Sequence, residues 1–150
     1  MSVILTRNHL KEILNMPEVI DAVEMGFRYY KTSRCIVPVR SEIKVDKAEG
    51  VFLFMPAFIE EKDAFGTKIV SVFPRNRDRA LSTVQGVYIL NDPTTGEILA
   101  VMDGIYLTAV RTGAASAVAT KYLSRHDSTV LGIIGTGGQA IQQVQAIRTG

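Results

Sequence analysis

Thr129-Val130-Leu131-Gly132-Ile133-Ile134, followed directly by Gly135-Thr136-Gly137-Gly138-Gln139-Ala140, is the stretch on which the fold reading turns. An apolar run, then GxGxxA, then the helix-forming Gln139 to Arg148 gives the order strand, tight turn, helix of a Rossmann dinucleotide site. Gly135 would make the turn and Gly137 would let backbone approach a pyrophosphate. The small Ala140 would let the helix pack closely on its strand, and the N–H groups opening that helix would face the phosphates. A plain βα turn, its glycines serving only chain reversal, is the competing reading.

The complete fingerprint carries an acid about 20 residues further on to read a ribose 2′-OH, and the doubly wound sheet needs several more strands. The sequence stops at Gly150. No complete dinucleotide domain fits after residue 128, so the expectation is the front part of a longer protein.

Composition points to a globular chain. Of 150 residues 47% are hydrophobic and 21% charged, enough to build a core, and length alone suggests one domain. The motif position suggests instead one domain and the start of another. Seventeen basic residues against 15 acidic ones leave a net charge of +2, too mild and too mixed for a nucleic-acid or membrane footprint. The single cysteine, Cys35, rules out an internal disulfide framework and fits a reducing compartment. Met1 to Leu10 holds no signal-type apolar segment and no run approaches the ~18 apolar residues of a span, so the expected location is cytoplasmic.

Upstream of the glycine motif the organisation changes. Thr6 or Asn8 can cap a helix through Leu14, and Pro17 suits the first turn of a second helix to about Thr32. Val19, Ile20, Val23, Phe27 and Tyr30 give that helix a three-and-four apolar stripe. Five strand-like runs follow: Ile36 to Ile43, Val51 to Phe58, Lys68 to Phe73, Val84 to Leu90 and Ile98 to Met102. The turn chemistry of Asn91-Asp92-Pro93-Thr94-Thr95-Gly96 predicts a hairpin between the last two. Asp103 then caps a long helix reaching about Arg125, whose middle, Ala109 to Ala119, is mostly Ala, Gly, Ser and Thr and suits close packing.

Several polar residues stand out within this frame. Arg111 lies inside the small-residue helix; if buried it needs a partner, either a neighbouring carboxylate or a bound anion. Thr112 beside it reads as a core or back-bonding hydroxyl. Lys68 heads an apolar strand after Phe65-Gly66-Thr67, where it either snorkels to solvent or holds a substrate carboxylate and works as an acid/base group. Arg40, after Val37-Pro38-Val39, is either a solvated edge residue or a carboxylate-binding fork. Thr83, just before a strand, serves as cap, turn hydroxyl or phosphate contact. Arg75, Arg77 and Arg79 alternate along a loop and read as a solvated turn. His9, His126 and Cys35 are too scattered for zinc ligation, and neither a GxSxG elbow nor a GxxxxGK[ST] loop is present.

In order and spacing the chain resembles the ornithine cyclodeaminase/μ-crystallin family, which includes archaeal alanine dehydrogenases and ketimine reductases. The matching pieces are Pro38-Val39-Arg40, Met55-Pro56-Ala57, Gly66-Thr67-Lys68-Ile69-Val70, Leu81-Ser82-Thr83-Val84-Gln85-Gly86 and Leu99-Ala100-Val101-Met102-Asp103-Gly104. The most specific are Arg111-Thr112-Gly113-Ala114-Ala115-Ser116-Ala117-Val118-Ala119-Thr120 and Ile133 through Ala140.

This resemblance implies an α/β protein in two parts. An α+β substrate-binding and dimerisation domain would span residues 1–110, with sheets of two subunits joined in a homodimer. A linking helix and the first βα unit of a Rossmann domain would occupy residues 111–150. It implies NAD or NADP as cofactor and a small amino or imino acid as substrate. Arg40, Lys68 and Arg111 would hold the substrate, with Lys68 beside the reacting carbon and catalytic. Thr83, Arg111, Thr112, Gly135, Gly137, Gly138, Gln139 and Ala140 would lie on the cofactor side. The family chemistry is hydride transfer at the α-carbon bearing nitrogen. Cyclodeaminases return the hydride after ring closure and loss of ammonia, whereas dehydrogenases keep it on the cofactor. The cyclodeaminases' catalytic aspartate lies in the second half of the family's chain, beyond these residues. Two residues before the Met of the Met-Pro pair, cyclodeaminases tend to carry an acid and the archaeal alanine dehydrogenase type a base. Leu53 here leaves cyclodeaminase, ketimine reductase and amino acid dehydrogenase all open. The contrasting class is a non-enzymatic NAD(P)-binding protein of the μ-crystallin type.

Overall fold

A computed structural model describes residues 1–150. One seven-stranded sheet forms the frame, in the order β1-β7-β6-β5-β4-β2, with β3 also paired to β4. Its strands are β1 Val3–Leu5, β2 Cys35–Ile36, β3 Ser41–Val45, β4 Gly50–Ile59, β5 Ala64–Val72, β6 Val84–Asn91 and β7 Ile98–Asp103. The helices are α1 Arg7–Ile13, α2 Met16–Lys31, α3 Gly104–Leu123 and α4 Ala140–Thr149. The fold is mixed α/β, as the sequence predicts.

Local chemistry accounts for most boundaries. Thr6 caps α1 by accepting from the His9 N–H, and Pro17 sits in the first turn of α2. Asp103 caps α3, its carboxylate accepting from the Tyr106 N–H at 2.7 Å. In the predicted β6–β7 hairpin, Asp92 accepts from the Thr94 and Thr95 N–H groups at 2.7 and 3.1 Å, and Gly96 takes φ +77°. β1, not expected from the sequence, joins the edge of the sheet parallel to β7.

Three expectations are corrected. The run from Ile36 to Ile43 is not one strand: β2 and β3 pair with opposite ends of β4, and Pro38, which has no N–H to donate, lies in the unpaired break. Lys68 does not head its strand. β5 begins at Ala64, and Phe65, Gly66 and Thr67, read as preceding the strand, pair with both β4 and β6. Two flanking ladders override the weak strand preference of Gly66. Residues 129–134 form no strand, and Val130 and Ile134 are solvated. A strand requires a neighbour to satisfy its backbone, and no strand of the sheet, which ends at β1 on one side and at β2 and β3 on the other, pairs with this run.

α1 and α3 pack on the sheet, and α2 and α4 pack against α3. Ile20, Ala114, Ala117, Val118 and Ala146 form a buried cluster joining α2, α3 and α4. Small residues permit this closeness: a Cβ on Gly113 would lie 2.4 Å from the Gln142 carbonyl oxygen of α4. Glu24 of α2, almost fully buried, accepts hydrogen bonds from Tyr122 Oη at 2.6 Å, Lys121 Nζ at 2.9 Å and Arg28 Nη2 at 2.6 Å. The Tyr122 and Lys121 donors, with Arg28, hold its carboxyl down to about 2. The bonds from Tyr122 and Lys121 fix α2 against the end of α3. No helix is long and apolar enough to cross a membrane.

Candidate functional site

Strand register builds the first half of the site. Met55, Lys68, Tyr88 and Met102 stand opposite one another on β4, β5, β6 and β7 and therefore share one face of the sheet. Val70, two residues on from Lys68, is buried on that face. β3 begins at Ser41 opposite Phe54, and Arg40 comes one residue before it, at the end of the unpaired break. The fourth contributor comes from α3, which starts against β6: a Cβ on Gly104 would lie 2.4 Å from the Gly86 carbonyl carbon. Two turns later the helix carries Arg111 over the sheet.

Electrostatics tie these residues together. Burial lowers the Lys68 ammonium below the ordinary lysine range, and the guanidinium groups of Arg111 and then Arg40 add to the effect. Lys68 is half-buried, and its Nζ lies 5.8 Å from the centre of the Tyr88 ring. None of the three cations forms an ion pair with a carboxylate of this chain. Like charges gathered without a counterion attract anions, and two planar forks beside an ammonium suit a carboxylate. Arg111 is exposed, because the opposite side of α3 faces α2 and α4.

The second half of the site is the glycine loop. Leu131 to Gly135 and Gly137 to Ala140, with Ser116 of α3 and Gln143 and Ile147 of α4, line an open cleft of about 530 Å³. Gly135 adopts φ +93°, the left-handed region that favours glycine. At Gly137 and Gly138 a Cβ would meet nothing within 4 Å, unlike the packing glycines Gly104 and Gly113. The chain's own packing does not require glycine there, whereas accessible backbone is what a diphosphate needs. Gln139 opens α4 without a side-chain cap, and Ala140 is the first helical residue. The residues present therefore fit a dinucleotide phosphate.

Other predicted residues fall on the margins. The Thr112 hydroxyl donates to the Thr108 carbonyl at 2.6 Å, the back-bonding role read from sequence. Thr83 precedes β6 by one residue, five positions from Tyr88, and its carbonyl accepts from the Phe73 N–H at 2.8 Å. The structure does not bring Thr83 into the row of Lys68. Arg75 pairs with Glu49, and Arg77 and Arg79 are solvated. Tyr88, Ser116 and Gln143 were missed by sequence reading. Cross-strand register and helix docking bring them to the site, and neither is legible along the chain.

A sheet-based α/β frame that leads through one helix into a glycine-rich turn, with three cations gathered between helix and sheet, defines a mixed α/β protein with a Rossmann-like start. The chain belongs to the ornithine cyclodeaminase/mu-crystallin family, whose model matches residues 1–150. It is 40% identical over 144 residues to a Delta(1)-pyrroline-2-carboxylate reductase of Bacillus cereus, covering 96% of this chain and 44% of that protein. Among solved structures it is similar to Thermococcus litoralis Delta(1)-pyrroline-2-carboxylate reductase in complex with NADH and L-proline. That likeness has a TM-score of 0.92 and 44% identity, over 98% of this chain and 46% of the other. An archaeal alanine dehydrogenase dimer with bound NAD gives a TM-score of 0.91 at 40% identity, covering 99% of this chain and 45% of that one. The chain thus spans less than half the length of the relatives it matches.

Proposed function

We propose that this chain is the substrate-holding part of an NAD(P)-dependent oxidoreductase acting at the α-carbon of an amino or imino acid. The single observation that carries the reading is the convergence of Arg40, Lys68 and Arg111 with no carboxylate partner. The likeness to a reductase seen with NADH and L-proline supports it. Arg40 and Arg111 bind and orient the substrate carboxylate, and Lys68 stands at the reacting end, its half-buried ammonium able to donate or hold a proton at Nζ. Gly135, Gly137, Gly138, Gln139 and Ala140 hold the dinucleotide phosphates, with Thr83, Arg111 and Thr112 on the same side. Bound there, a nicotinamide supplies reversible hydride exchange with the substrate carbon. Leu53 lies on the Lys68 face of β4, opposite Val70, and gives an ornithine side-chain ammonium no acidic handle. The likeness to a pyrroline-2-carboxylate reductase and to an alanine dehydrogenase favours reductase or dehydrogenase over cyclodeaminase.

The boundary between substrate domain (1–110) and Rossmann start (111–150) falls within α3 in this reading. A homodimer and a cytoplasmic setting belong to it as well. Support for the dimer is the sheet face opposite the helices, where Phe52, Phe54, Phe58, Phe65, Ile69 and Ile89 form an apolar surface, Phe52 being 37% exposed. The free, half-buried thiol of Cys35 fits a reducing compartment.

The complete gene product, incubated with NADH or NADPH and a panel of cyclic imino acids, is expected to consume one reduced cofactor per imine reduced. Dinucleotide binding without turnover on imines or amino acids would mark a non-enzymatic binding protein. Ammonia release from ornithine with no net change in cofactor would mark a cyclodeaminase. Either outcome overturns the proposal.

A further inference from the structure

Lys68 is surrounded by repulsion. Arg111 of α3 and Arg40 from the segment before β3 both act on it as like charges, and Met55, its neighbour on β4, carries no charge. Its other neighbour is Tyr88 of β6, whose ring centre lies 5.8 Å from Nζ. Within about 6 Å the negative face of an aromatic ring attracts an ammonium. Tyr88 pairs with Lys68 on one side and Met102 on the other, so its backbone is fixed by two ladders and the ring has little freedom to lose.

We propose that Tyr88 is a positioning residue for Lys68: its ring face holds the ammonium charged and aimed into the site against the repulsion of Arg40 and Arg111. A tyrosine on a half-buried strand can serve only to fill space, and the two roles separate on titration. A ring that favours the charged amine keeps Lys68 protonated to higher pH than the same site lined by an aliphatic side chain. The ring and not the hydroxyl provides the attraction, so phenylalanine suffices. The catalytic consequence rests on the oxidoreductase reading above, whereas the titration does not.

The test uses the complete gene product with 13C-labelled lysine, the Lys68 Cε signal being assigned by its loss in Lys68→Arg. Wild type and Tyr88→Phe are expected to titrate together, and Tyr88→Leu roughly half a pH unit lower, the size of a partly exposed cation–π contact. The alkaline limb of kcat/KM should move down with it while dinucleotide affinity stays constant. Equal titration in Tyr88→Leu and wild type would overturn the proposal. So would a fall in Tyr88→Phe as large as that in Tyr88→Leu, which would assign the effect to the hydroxyl. If Tyr88→Leu does not fold, the Lys68 Hε protons of wild type and Tyr88→Phe decide: an upfield ring shift in both supports the contact, and ordinary shifts refute it. A wild type inactive on every substrate, with the titration difference intact, would refute the functional reading alone.

Discussion

Gly104 opens α3 directly on the backbone of Gly86 in β6, so closely that a Cβ on Gly104 would lie 2.4 Å from the Gly86 carbonyl carbon. This contact sets the height of the helix over the sheet and hence the position of Arg111 two turns later. Gly104→Ala is expected to destabilise the protein by about 1–3 kcal/mol, the usual cost of overpacking. Urea unfolding checks this, and an unchanged midpoint would mean that the helix is free to shift.

The glycines of the two regions should respond differently. Gly113→Ala drives a methyl group into α4, 2.4 Å from the Gln142 oxygen, and should lower the melting temperature by several degrees. A Cβ at Gly137 meets nothing within 4 Å, so in Gly137→Val melting should stay near that of the parent while NAD(H) affinity is lost to the bulk placed over the phosphate position. Unchanged affinity in a folded Gly137→Val protein would contradict the dinucleotide assignment.

Lys68→Met keeps most of the aliphatic stem and removes the charge. Turnover in the complete gene product should fall by more than about tenfold, equivalent to ~1.4 kcal/mol in the barrier, with NADH binding retained. Parallel loss of cofactor binding would move Lys68 to the cofactor side.

The arginines should tune the same amine. Burial lowers the Lys68 pKa most, followed by Arg111 and Arg40, so the ammonium is lost at a pH below the ordinary lysine value. Arg111→Gln should shift the alkaline limb of kcat/KM upward, and Arg40→Gln should do so by less. A downward shift in either variant would mean that the guanidinium does not act on Lys68.

Glu24 gives the protein an acid-sensitive joint. Its carboxyl is held at about 2 against an ordinary 4.5, so its contribution is complete above pH 4.5 and is lost as pH falls toward 2. Glu24→Gln should therefore melt below wild type at neutral pH, and the gap should close over that interval. Melting curves across pH 2 to 7 read this directly; a gap independent of pH would assign the defect to packing instead.

The sequence by itself determined the local elements, because caps, turns and periodicity act over a few residues. Thr6, Pro17 and Asp103 placed helix starts, Asn91 to Gly96 placed a hairpin, and Gly135 to Ala140 marked the turn into α4. Arg40, Lys68 and Arg111 were legible only as unrelated candidates and, through family resemblance, as a set. Tertiary structure decided what they form, since register alone sets Lys68 between Met55 and Tyr88, and helix docking alone brings Arg111 over the same face. It also set Lys68 in mid-strand, where two ladders overrode the glycine before it, and left Arg111 exposed, because α3 buries its small-residue side. The run from Thr129 to Ile134 reads as a strand by composition yet makes none, because a strand exists only with a partner beside it.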